Sequence, residues 1–199
     1  MLLLIVGLVI FFAIHLVPAQ SEIRNGMVER FGEGPYKIAF SIVSAVGLAL
    51  IVYGYGKLQA APGKNPDLWF PPAWTRHVAF TLMLPAIILL VAAYIPSNIR
   101  TAARHPMLAA IKLWALAHLL ANGDLASVIL FGSFLAWAIY DRISLKHREA
   151  FGPLGKAKGS LVGDLAVIVV GLGVYAAILF GSMSGSSAYR SCPRQCDPA

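Results

Sequence analysis

The chain has 199 residues, 58% of them hydrophobic and 13% charged, with a mean hydropathy of +0.73. A soluble domain carries about 25% charged residues, so this composition excludes an ordinary water-soluble enzyme. It leaves one domain of all-α class, a polytopic membrane helix bundle, because a helix satisfies its own backbone hydrogen bonds in hydrocarbon. The net charge of +7 does not point to nucleic acid, since a multispanning chain gathers Lys and Arg on its cytoplasmic loops.

Residues 1 to 21 carry no charged side chain. Leu2 follows Met1 directly, so the basic start of a signal peptide is missing, and Leu2 to about Ala19 reads as a retained first transmembrane helix. It contains His15, with Phe11 and Ala19 one turn away on either side. A histidine this deep in an apolar helix needs a partner for its ring nitrogens. Glu22 to Lys37 reads as a polar connector, and the uncharged run 38–56 as a second span, with Ser41, Ser44, Gly47, Gly54 and Gly56 allowing close helix approach.

Lys57 to Arg76 is a Pro-rich loop whose Trp69, Phe70 and Trp74 suit interfacial anchoring. Residues 78–99 make a third span, which Pro85 should kink. The segment from Arg104 to Asp124 organises the chain. Arg104, His105 and Pro106 open it, Lys112 interrupts an apolar run, His118 lies near the far end, and Asn122-Gly123-Asp124 closes it. Asn-Gly stops one helix and Asp124 caps the next. Helices four and five, the latter over 125–140, therefore form a tight helical hairpin. A basic loop with Arg142, Lys146, His147, Arg148, Lys156 and Lys158 leads to a sixth span that begins after Asp164 and is firmly apolar to about Phe180. The expectation is about six transmembrane helices over 1–180 and a polar tail over 181–199, which holds both cysteines, Cys192 and Cys196.

With six spans, the odd-numbered loops hold ten Lys and Arg, against five for the termini and the other loops. The odd loops should face the cytoplasm and both termini the periplasm. The chemistry-bearing candidates are His15 and His118, two intramembrane imidazoles on different helices. Each suits either a helix-to-helix hydrogen bond or, as a pair, the axial positions of a haem iron. Trp114 and Asn122 share a helix face with His118, where Trp114 stacks on a porphyrin or fills core, and Asn122 orients the imidazole or ends the helix. Lys112 either snorkels to an interface or balances an acidic ligand group. Arg104 and His105 either flank the helix on the cytoplasmic side or bind an anionic group. One difficulty stands out: His15 should lie level with His105, whereas His118 is roughly 20 Å further along its helix at about 1.5 Å per residue.

Phe11-Phe12-Ala13-Ile14-His15-Leu16-Val17-Pro18-Ala19, Arg104-His105-Pro106-Met107 and Leu113-Trp114-Ala115-Leu116-Ala117-His118-Leu119-Leu120-Ala121-Asn122-Gly123-Asp124 together resemble the NnrU family. That family takes in bacterial proteins associated with denitrification and, more distantly, the plant 15-cis-zeta-carotene isomerase. The resemblance runs from about residue 2 to 180. It implies a bacterial inner-membrane protein that binds haem b through His15 and His118, with isomerase-like or redox chemistry on a lipophilic polyene. A non-catalytic accessory role beside the membrane proteins of denitrification is the alternative. Arg104-His105-Pro106 before a hairpin also resembles the membrane methyltransferases, although 141–160 lacks the Glu-rich run expected there. After Phe180 the family pattern of further apolar helix gives way to the polar tail.

Overall fold

The structure is a computed structural model that describes residues 1–61, 63–145 and 158–190, with side chains described as far as Gly181. Pro62, the Lys146–Lys156 part of the basic loop and the tail cysteines lie outside the described residues. Eight helices follow one another: α1 Leu2–Leu16, α2 Ser21–Phe31, α3 Glu33–Gln59, α4 Ala73–Ala92, α5 Asn98–Ala103, α6 Pro106–Ala121, α7 Leu125–Ser144 and α8 Leu161–Arg190.

The all-helical membrane class stands, and the count of six spans is corrected. Four helices (α3, α4, α7 and the 161–181 part of α8) are long and apolar enough to cross a bilayer, and α1 with α2 makes a fifth only if that bent pair is taken as one span. Two local causes account for the difference. Pro18 lacks an N–H and follows the last turn of α1, after which the chain bends by 83° into polar α2. Asn122 leaves helical geometry with φ −122° and ψ 129°, ending α6 after 16 residues, about 24 Å against a hydrocarbon core of about 30 Å. α3 and α8 extend past their uncharged runs at both ends, α4 at its start and α7 at its end, because terminal charges reach the interface without ending the helix. Backbone helix in α4 continues through Pro85.

The helices pack in the spatial sequence α3, α1, α7, α6, α4, α8. α1 runs antiparallel to α3 at very close range, which glycines permit. A Cβ at Gly7 would lie 2.7 Å from the Ile51 nitrogen, one at Gly47 2.9 Å from the Phe11 nitrogen, and one at Gly54 2.6 Å from the Leu4 nitrogen. Small residues let backbones approach where lipid offers no hydrophobic drive for association. α4 and α8 are likewise antiparallel: Gly171 meets Ile88, and the Tyr175 hydroxyl donates to the Phe80 carbonyl at 3.1 Å. The start of α1, the 63–72 loop and the Asn122–Asp124 turn therefore share one end of the bundle. α2, α5, the end of α7 and the start of α8 share the other.

The best-buried core lies toward the first of these ends, where Leu4, Leu8, Ile51 and Leu58 meet Ala115, Ala126, Leu130 and Phe131. Outward faces are apolar and open, for example Val9, Ile38, Val52, Leu161 and Val169, as a bilayer requires. Gly54→Val should lower thermal stability in detergent by about 1–3 kcal/mol through forced separation of α1 from α3. Gly56→Ala, whose Cβ would meet nothing within 4 Å, should be neutral or stabilising on the same melting curve.

Candidate functional site

Two features converge where the α1–α3 pair meets the α6–α7 hairpin: a polar lock at one end and a seam of aromatic rings below it. The lock is built on Asp124. Its carboxylate accepts hydrogen bonds from the Ser127 backbone N–H at 2.9 Å, the Ser127 hydroxyl at 2.6 Å, Asn65 Nδ2 at 2.6 Å and Gln59 Nε2 at 3.0 Å. The single Ser127 hydroxyl proton is thereby committed, so Tyr55 donates to Ser127 Oγ across 2.9 Å. The Asn65 carbonyl accepts from the Ala126 N–H, and the Pro66 carbonyl from the Leu125 N–H. All three leading amides of α7 are thus satisfied by the loop and the cap. Gly123 is pinned as well. Its carbonyl accepts from the Leu68 and Trp69 amides, and a Cβ there would run into the Trp69 carbonyl.

Below the lock, three α7 rings one turn apart, Phe131, Phe134 and Trp137, face α1 and α6. His118 stacks on Phe131 at 4.4 Å, and Trp114 stands edge-on to His118, Phe131 and Phe134. His15 stacks on Phe11 at 4.1 Å and meets Phe40 and Trp137 at 5.1 and 5.7 Å. Phe11 and Phe134, 5.5 Å apart, fill the space between the two groups. His118 therefore lies at the level of residue 131 and His15 at the level of 137. These levels are about 9 Å apart along α7, closer than the spacing along the chain suggested.

The imidazoles differ in their partners. His15 Nδ1 is 2.6 Å from the Phe11 carbonyl; donation to that oxygen leaves Nε2 with a free lone pair, as a metal-bound histidine requires. Asn122 Nδ2 donates to the His118 carbonyl at 2.9 Å and faces His118 Nδ1 at 3.5 Å. Asn122 thus both ends α6 and contacts the ring.

Two buried polar atoms near His15 have no hydrogen-bond partner, Trp137 Nε1 and the Tyr36 hydroxyl. Tyr36 reaches the group through Phe40, 6.4 Å away. A buried donor without an acceptor costs about 1–3 kcal/mol, and a ligand bearing an acceptor would remove that cost. On the other side of Trp114, an apolar crevice of ≈ 170 Å³ lies between α4 and α6, walled by Met83, Ala86, Ile87, Leu90 and Ile111.

The remaining expected residues lie elsewhere. Lys112 is half-buried and stands well round α6 from Trp114 and His118 at 100° per residue; among the described residues it makes no ion pair. Arg104 and His105 sit at the opposite end of α6 from His118. Arg104 has φ 58° and ψ −47°, and the His105 N–H donates to the Ala103 carbonyl at 2.6 Å, a strained γ-turn. Burial and then Arg142 hold the His105 imidazole below its ordinary pKa; Asp141 pulls the other way and Arg104 adds to the lowering.

The family model described as NnrU protein matches residues 3–185. The chain belongs to the NnrU family. Comparison with the curated proteins found no match, and comparison with the solved structures found none. Within this NnrU chain, the residues that sequence reading passed over are Asn65, Gln59, Phe131, Phe134 and Trp137, while Tyr55, which its place near the end of an apolar run suits to the membrane interface, bonds Ser127 instead. The three-residue period of the α7 aromatics was visible. Nothing local ties Asn65 to the start of a helix sixty residues later.

Burial works to raise the Asp124 carboxyl, but hydrogen bonds from Ser127, Asn65 and Gln59 outweigh it and hold the group below the ordinary aspartate value of 3.8. A depressed folded pKa stabilises fully above the unfolded value and is lost as pH falls through the folded one. Unfolding midpoints should therefore hold steady at neutral pH and drop below about pH 4. In Asp124→Asn the midpoint should be lower at neutral pH and should lose that acid-dependent component.

Proposed function

We propose that this NnrU-family membrane protein binds haem b through His15 and His118 and acts on a lipophilic polyene by isomerase-like or redox chemistry. The observation that carries the reading is the His15 site: an imidazole whose Nδ1 is held by the Phe11 carbonyl, walled by aromatic rings, one of which, Trp137, carries a buried N–H without an acceptor. The donor chemistry suits the group, since neutral imidazole is a usual axial ligand. For one iron to take both histidines, Phe11 and Phe134 must leave the space between them. Bound haem would supply a redox-active iron whose potential follows its axial ligands.

The protein's own part is to hold the imidazoles, to exclude water with the Trp114, Phe131 and Trp137 rings that meet them, and to receive hydrocarbon in the α4–α6 crevice beside Trp114. The charge distribution of the loops supports an inner-membrane orientation with both termini periplasmic. Protein purified from haem-replete cells should show a Soret band, which His15→Ala and His118→Ala each diminish or abolish. Colourless wild-type protein overturns the haem reading.

A second reading is an accessory subunit for denitrification enzymes. It is favoured by α3 and α8, which stand at the two ends of the helix sequence with apolar outer faces such as Ile42, Val52, Leu165 and Val169. Crosslinking in cells to a nitrite or nitric oxide reductase, with no cofactor bound, would support this reading. A methyltransferase reading rests on the Arg104–His105 corner and predicts binding of a radiolabelled methyl donor, lost in His105→Ala.

A further inference from the structure

Among the described residues α2 is the one long polar helix, and its residues fall into separate arcs. At 100° per residue, Ile23, Met27 and Phe31 lie within a quarter-turn of one another. Glu22, Asn25 and Glu29 lie on the opposite side. The three apolar side chains are 46%, 39% and 60% exposed, so the rest of the protein does not cover them. Arg24 and Arg30 fall on either side of the apolar arc, and the Arg30 guanidinium lies over the Phe31 ring at 5.5 Å.

The helix is also placed where such a face meets lipid. It leaves apolar α1 at 83° and runs straight into α3, an apolar span 27 residues long. An element nearly perpendicular to apolar α1, which runs antiparallel to the α3 span, and joined to both at the same end, lies along the membrane surface. Only one rotation about its axis puts the apolar arc into the bilayer and the two glutamates into water, and in that rotation both arginines sit at headgroup depth.

We propose that α2 is a membrane-surface helix that seats Ile23, Met27 and Phe31 among the acyl chains and binds anionic phospholipid headgroups through Arg24 and Arg30. The partner is the lipid surface itself, and the chemistry recognised is the phosphate-bearing acidic headgroup. The proposal does not rest on haem binding; a missing Soret band leaves it intact, and its own failure leaves the haem reading intact.

The test uses the full chain, with Cys192→Ser and Cys196→Ser, reconstituted in vesicles of phosphatidylglycerol and phosphatidylcholine in equal parts. A nitroxide is attached at Met27→Cys or, separately, at Asn25→Cys, and collision with oxygen is compared with collision with a water-soluble nickel complex. The oxygen-to-nickel ratio should be several-fold higher at 27 than at 25. Arg24→Gln with Arg30→Gln should lower the ratio at 27 in these vesicles and leave it unchanged in pure phosphatidylcholine. Equal nickel access at the two positions would overturn the proposal, because the stripe would then face water. Shielding of position 27 from both reagents would also overturn it, because a protein would then cover the stripe. If the arginine substitutions change the ratio equally in both kinds of vesicle, headgroup recognition is refuted.

Discussion

Everything at the seam depends on the carboxylate of Asp124. α1 and α3 form one tightly packed unit and α6 and α7 another, yet between these units it is side chains that touch, aliphatic near the lock and aromatic below it, rather than backbones. Ring contacts are weakly directional and tolerate sliding. Asp124 supplies the direction. It gathers Gln59 from the end of α3 and Asn65 from the following loop onto the first turn of α7. Tyr55 adds a second tie from α3 through Ser127. With that end fixed, the heights of Phe131, Phe134 and Trp137 against α1 follow from helix rise alone, and so do the positions of His118 and His15.

The site below the lock has an unusual balance for a membrane interior. At the bundle end, Asp124, Ser127 and Asn65 satisfy one another almost completely. Around His15 the balance is left open: a free Nε2, an indole N–H without an acceptor and a phenol without a partner. Polar groups left unmatched in the midst of a well-satisfied structure are where a ligand's own polar atoms bring the largest gain. The aromatic seam gives such a ligand flat, apolar walls. Phe11 and Phe134 presently lie against each other, so occupancy and side-chain movement are coupled at this place.

The two ends of α6 divide its expected roles. His118 and Trp114 belong to the seam. Arg104 and His105 belong to the opposite end, where a strained γ-turn and the nearby Asp141 and Arg142 make a corner of its own. Lys112 lies between these in height but on another side of the helix. A list of candidate residues on one segment thus separates into groups that cannot share one small ligand, simply because a helix turns 100° per residue.

The sequence by itself determined the all-helical membrane class, the approximate place of each apolar helix, the Asn122-Gly123 stop and the Asp124 cap. These are local properties: a long uncharged run, a residue tolerant of a tight turn, a carboxylate beside a helix start. Only the tertiary structure decided that α1 ends at Leu16 and turns through 83°, that α6 falls short of a full span, that Asn65 and Gln59 serve Asp124, and that α7 rather than α6 carries the rings separating His15 from His118. Those facts depend on pairings between residues far apart in the chain, such as Gln59 with Asp124 or His15 with Trp137. In lipid, where hydrophobicity does not distinguish a helix neighbour from an acyl chain, small-residue fit and matched polar groups choose the pairings; glycines such as Gly47 and Gly54 mark a face for close approach, but neither signal names the partner.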